Sequence, residues 1–144
     1  MMSASRWPYL GGLLVIVLVA VWSLANAQVV RLGSDLMGSE VVPPTTSQAR
    51  GQGEFEFDAT TNQLTFTVVF GGLSGPAVAA HIHGPAAPGA NANIVVAFPV
   101  PQSPVSGTIR LSDAEASALL AGSLYVDIHT SANPQGEIRG QIKN

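Results

Sequence analysis

Polar and apolar residues alternate along much of this chain, and the alternation is interrupted at short intervals by glycine and proline. In Gly53-Glu54-Phe55-Glu56-Phe57-Asp58 every second side chain is aromatic, the period of a half-buried strand. Residues 59–62 read as a turn, and 64–70 return with the same period, which predicts a β-hairpin. Further strands are predicted at 78–83, stopped by Gly84-Pro85, at 94–98, stopped by Pro99 and Pro101, and at 106–111. The last two are predicted at 124–130 and 136–142, joined by a turn over 131–135. Upstream, 28–32 and 38–42 read as two short extended pieces, the second ended by Pro43-Pro44, with a polar loop over 45–50. One short helix is predicted near 113–121. Ser112 and Glu115 have the spacing of a capping box, Ala116, Leu119 and Leu120 give an apolar face, and Gly122 stands where a left-handed cap is expected. Seven to nine short strands with one helix predict an all-β fold, an antiparallel Greek-key-like β-sandwich or barrel.

The first 27 residues follow a different pattern. Arg6 precedes a continuous apolar run from Leu13 to Trp22, and Ala25-Asn26-Ala27 follows with small residues at the two positions a signal peptidase reads. This order predicts a secretory signal peptide over 1–27 and a mature domain over 28–144. The run is short for a membrane span, which needs about 20 apolar residues. Membrane contact is therefore expected only through this segment, if it stays uncleaved. The expected location is periplasmic or extracellular. Only 10 % of residues are charged, against the usual quarter, and the formal net charge is −3. The few Lys and Arg residues do not cluster, which argues against a nucleic-acid partner and leaves a protein or a glycan. There are no cysteines, so thiol chemistry and thiolate metal sites are excluded.

The chain holds three histidines, His81, His83 and His129. His81 and His83 are two apart on one predicted strand and share a face, while Ile82 points to the other. In the strand 124–130 the apolar set is Leu124, Val126 and Ile128, which leaves Asp127 and His129 together on the polar face. In 136–142 the polar set is Glu137, Arg139 and Gln141. If these strands are neighbours, three imidazoles, two carboxylates and a guanidinium form a polar cluster outside the core. Two imidazoles from His-x-His and a third from an adjacent strand make a three-nitrogen site that suits copper or zinc. Asp127 or Glu137 would orient an imidazole through its second nitrogen, and Arg139 would approach a bound ligand. The plainer alternative is a set of partly exposed strand histidines bonded to Asp127, Glu137 or backbone. Glu54, Glu56 and Asp58 read as a solvated acidic strip.

Several segments resemble those of a known family. Gly38-Ser39-Glu40-Val41-Val42-Pro43-Pro44 is similar to the G-x-E-V-P-P opening of CHRD (chordin) domains. Leu73-Ser74-Gly75 with Ala79-Ala80-His81-Ile82-His83-Gly84-Pro85-Ala86 resembles their central signature. The stretches 119–130 and 133–142 resemble their closing one. The similarity runs from about Val30 to Ile142. It implies an extracellular β-sandwich or barrel module, found as repeats in chordin and as single domains in secreted microbial proteins, with no enzymatic activity settled for the family. Growth-factor antagonism is not implied, because chordin captures its ligands with cysteine-rich modules. More weakly, the His-x-His…His order resembles the copper ligands of copper/zinc superoxide dismutases, which implies copper at His81, His83 and His129 and anion steering by Arg139. The fourth, bridging histidine and the disulfide of those enzymes have no counterpart here. The leading expectation is a secreted non-enzymatic binding module with a copper or zinc ion. The alternatives are a structural or adhesive envelope domain without metal, and a metal-dependent redox or hydrolytic enzyme.

Overall fold

The computed structural model describes residues 28–144; the predicted signal peptide, 1–27, lies outside the described residues. Eight antiparallel strands form one curled sheet in the order β5-β4-β7-β8-β1-β2-β3-β6. They are β1 (Val29–Met37), β2 (Arg50–Asp58), β3 (Gln63–Gly71), β4 (Ala77–His83), β5 (Ile94–Ala97), β6 (Val105–Arg110), β7 (Tyr125–Thr130) and β8 (Ile138–Gln141). Among the described residues the single α-helix, α1 (Asp113–Leu120), lies between β6 and β7. The expected all-β class and single short helix are both present. Among the described residues, no helix is long and apolar enough to cross a membrane.

The N-terminal part differs from expectation. The two extended pieces predicted at 28–32 and 38–42 are replaced by one nine-residue strand, β1, and a 3-10 turn over Gly38–Glu40. Gly33-Ser34-Asp35 reads locally as a break. Pairing with β2 overrides it, in unbroken register from Val29↔Asp58 to Met37↔Arg50. Leu32, Ser34 and Leu36 then point inward and are buried, while Gly33 and Asp35 stay exposed. The hairpin of β2 and β3 forms as predicted, paired from Arg50↔Gly71 to Asp58↔Gln63.

The hollow of the curl holds the apolar core. Phe55 and Phe57 of β2, Leu64, Phe66 and Val68 of β3, Ile82 of β4, Val126 and Ile128 of β7 and Ile138 of β8 all belong to one buried cluster. Phe98, just past the edge strand β5, stacks on Phe66 with ring centroids 4.9 Å apart, so the two halves of the sheet meet across the hollow. The capping box of α1 is complete. Ser112 N donates to Glu115 Oε2 at 2.8 Å and Glu115 N donates to Ser112 Oγ at 3.3 Å. Gly122 closes the helix in the left-handed region, at φ +70°.

The strand order makes β4, β7 and β8 consecutive neighbours. That adjacency is what the polar cluster required. Every residue of β7 is buried, so both faces of this central strand are covered.

Candidate metal centre

Register sets the geometry. His81 lies directly opposite Asp127 across the β4–β7 ladder, with Ala79 opposite His129 and His83 opposite Tyr125. Asp127 therefore has one imidazole facing it, His81, one on a cross-strand diagonal, His83, and one two residues along its own strand, His129, distances that long side chains can span. Ala79 carries nothing beyond Cβ and leaves the His129 ring room to lean toward His81.

The donor atoms converge. Asp127 Oδ1 is 3.5 Å from His81 Nδ1, 3.1 Å from His83 Nε2 and 3.0 Å from His129 Nε2. His81 Nδ1 and His129 Nε2 are 3.1 Å apart. One ligand atom from each of these four residues lies within 4.8 Å of the others. The side chains are 9 to 16 % exposed, His81 the most.

Backbone carbonyls orient two of the rings. His83 Nδ1 lies 2.9 Å from the Ala92 carbonyl oxygen and His129 Nδ1 lies 3.0 Å from that of Pro134. A carbonyl only accepts, so each Nδ1 carries the proton and donates. In its neutral form each ring turns its Nε2 lone pair inward, toward Asp127. His81 Nδ1–H can donate to His129 Nε2, which satisfies that pair. His83 Nε2 and Asp127 Oδ1 are both buried and unaligned for any hydrogen bond. A lone pair and a carboxylate oxygen facing each other at 3.1 Å repel unless a proton or a metal cation stands between them.

Protons on the imidazoles offset the Asp127 charge where no other cation does. Burial pushes the Asp127 carboxyl up, but contacts with His129 and then His83 outweigh it and hold it at about 2. Asp127 draws the His129 imidazole above its ordinary value, against the opposing effect of burial. Burial lowers His81, with Asp127 opposing and the neighbouring imidazoles adding to the drop.

The cluster lies outside the apolar core, as expected, yet it is mostly covered, with His81 the most open to solvent. The loop after β4 covers it on one side and the β7–β8 loop on the other. They contribute the Ala92 and Pro134 carbonyls, and Ala92 N also donates to the Tyr125 hydroxyl at 3.1 Å. Tyr125 is a member of the site that parity alone had not singled out, although it shares the face of Asp127 and His129. Its ring stacks parallel on His83 at 5.0 Å, and the Arg139 guanidinium carbon sits 3.5 Å from the ring centroid. Arg139 is buried opposite Asp127 and donates to Asn91 Oδ1 at 3.2 Å.

Glu137 is not brought to the imidazoles. It precedes β8, and its carboxylate accepts from Ser47 Oγ, Ser74 N, Ser74 Oγ, Thr130 Oγ1 and Asn133 Nδ2, at 2.5 to 3.1 Å. Gly136, at φ +115°, turns the chain just before it, so alternation counted back from β8 does not reach Glu137. It ties loops together instead of orienting a histidine.

The family model of the CHRD domain matches residues 32–142. Searches of curated proteins and of solved structures returned no match. The matched span contains every strand from β2 to β8 and all four converging side chains, and it covers most of the chain: this protein belongs to the CHRD domain family.

Proposed function

We propose that this domain is a non-enzymatic binding module that holds one transition-metal ion, copper or zinc, through His81, His83 and His129, with Asp127 among the donors. The observation that carries the reading is the inward pair of carbonyl-oriented Nε2 atoms around a buried carboxylate oxygen with no aligned donor. A cation at their centre removes the repulsion and satisfies all the groups at once. Asp127 thus stands as a ligand, not behind one as its sequence position suggests. Arg139 and Tyr125 support the His83 ring, and Glu137 serves the loops. Four protein donors favour binding over the redox or hydrolytic alternative, because an enzyme needs a free coordination position.

The same reading places the protein outside the cytoplasm, on the strength of the apolar run and Ala25-Asn26-Ala27. Its partner is a protein or a glycan, in keeping with a net charge of −3 and dispersed cations. The metal is tested by titrating Zn(II) and Cu(II) into the protein by calorimetry, beside a His81→Ala/His83→Ala/His129→Ala variant. One-to-one binding at micromolar affinity or better, lost in the variant, supports the reading. Equal binding by both proteins removes it.

A further inference from the structure

The donor triangle discriminates between coordination geometries. In a square plane with ~2.0 Å bonds, any three donors make a triangle with two sides of ~2.8 Å and one of ~4.0 Å, whereas tetrahedral donors are all ~3.3 Å apart. Asp127 Oδ1, His81 Nδ1 and His129 Nε2 make a triangle with sides of 3.5, 3.0 and 3.1 Å, close to a tetrahedral face. His83 Nε2 stands 3.1 Å from Asp127 Oδ1 and the four donor atoms lie within 4.8 Å of one another, so His83 is the outlying fourth vertex, drawn in when an ion binds.

We propose that the centre is a closed tetrahedral site of zinc type, with Asp127 Oδ1 as its fourth ligand, and that its ion serves as a structural cross-link. The proposal rests on the metal reading above and narrows it to one geometry and one role. Zn(II) has no electronic preference against this shape, whereas Cu(II) favours a tetragonal field and Cu(I) favours soft ligands over a carboxylate.

The surroundings resist flattening. The His83 ring is held on its far nitrogen by the Ala92 carbonyl and on its face by Tyr125, which in turn carries Arg139. The His129 ring is held by the Pro134 carbonyl in a different loop. Moving either ring into a plane with the others breaks these contacts. Affinity alone does not decide the matter, since Cu(II) outcompetes Zn(II) at most nitrogen sites whatever their shape. The ion joins β4 to β7 directly, and through the two carbonyls it fixes both covering loops. In a chain without cysteine, such an ion does the work of a disulfide.

The test uses Co(II), which reports geometry by its visible absorption, bound to the full-length protein. The expected result is an intense tetrahedral spectrum, displaced by one equivalent of Zn(II) and unchanged by excess azide. Zn(II) is expected to raise the unfolding temperature. In Asp127→Asn, checked for folding by circular dichroism, the cobalt bands are expected to become azide-sensitive as the fourth position opens. A weak octahedral spectrum, or wild-type bands that shift with azide, overturns the closed tetrahedral site while leaving metal binding in place. Failure of Co(II), Zn(II) and Cu(II) alike to bind overturns both this proposal and the reading on which it rests.

Discussion

Glu137 offers the sharpest test of how this fold is held together. Its side chain is fully buried, and neutral donors satisfy its charge. Burial pushes the carboxyl up, yet bonds from Ser74, then Thr130 and Ser47, outweigh it and hold the group at about 2, below its ordinary value of 4.5. The donors come from the segment before β2, the turn before β4, the end of β7 and the β7–β8 loop, so one carboxylate joins four parts of the chain. Glu137→Ala leaves several buried donors facing a cavity without an acceptor, which costs about 4 kcal/mol. Glu137→Gln keeps the volume. Its carboxamide oxygen can take the Oε1 position, where Ser74 N cannot become an acceptor, and its NH2 can take the Oε2 position, where two hydroxyls can rotate and the Asn133 amide can flip. The loss is then mainly of charge assistance, about 2 kcal/mol. At roughly 4 °C per kcal/mol for a domain of this size, the melting temperature is expected to fall by about 15 °C for Ala and about 8 °C for Gln. Circular dichroism is the suitable probe, because Trp7 and Trp22 both precede the described domain. A folded pKa below the unfolded one means that ionised Glu137 contributes stability above pH 4.5 and loses it as pH falls toward 2. Glu137→Gln is expected to lack this part of the acid sensitivity. An Ala variant within about 1 kcal/mol of wild type, or a Gln variant with unchanged acid sensitivity, refutes the reasoning.

Other perturbations separate the site from the scaffold. A Cβ added at Gly140 would overlap the Asp35 carbonyl oxygen and Ser34 Oγ, so Gly140→Ala is expected to cost about 3 kcal/mol in urea unfolding by forcing β8 away from β1. Ser112→Ala removes the helix cap that Glu115 N uses and is expected to cost about 1 kcal/mol without altering metal titration. Asp127→Asn is expected to weaken Zn(II) binding by about 100-fold or more in calorimetry while leaving the far-ultraviolet spectrum unchanged. Metal affinity is expected to fall with acid in both proteins, since protons compete for the imidazoles.

How much of the site could be read from the sequence depended on the length over which each rule acts. Two-residue alternation put His81 with His83 and Asp127 with His129, and both pairs do share a face. The same counting failed at Glu137, where Gly136 leaves extended geometry and the period has no meaning. It also failed at Gly33-Ser34-Asp35, where local composition suggests a break and long-range pairing with β2 carries the strand through. The Ala92 and Pro134 carbonyls leave no trace in the sequence, because every residue has a carbonyl and only the path of a loop determines which one meets a ring. Tyr125 was within reach of parity, and its role became plain once His83 and Arg139 were seen on its ring.

By itself the sequence determined the strand-rich class, the hairpin of β2 and β3, the capped helix and the sidedness of each histidine, since these rest on neighbours a few residues apart. Tertiary structure alone decided that β4, β7 and β8 adjoin, that Asp127 stands opposite His81, and that two loops roof the polar face. Those outcomes depend on which distant segments pair, and pairing is selected by the burial of the whole apolar face at once, a quantity that no short window of residues contains.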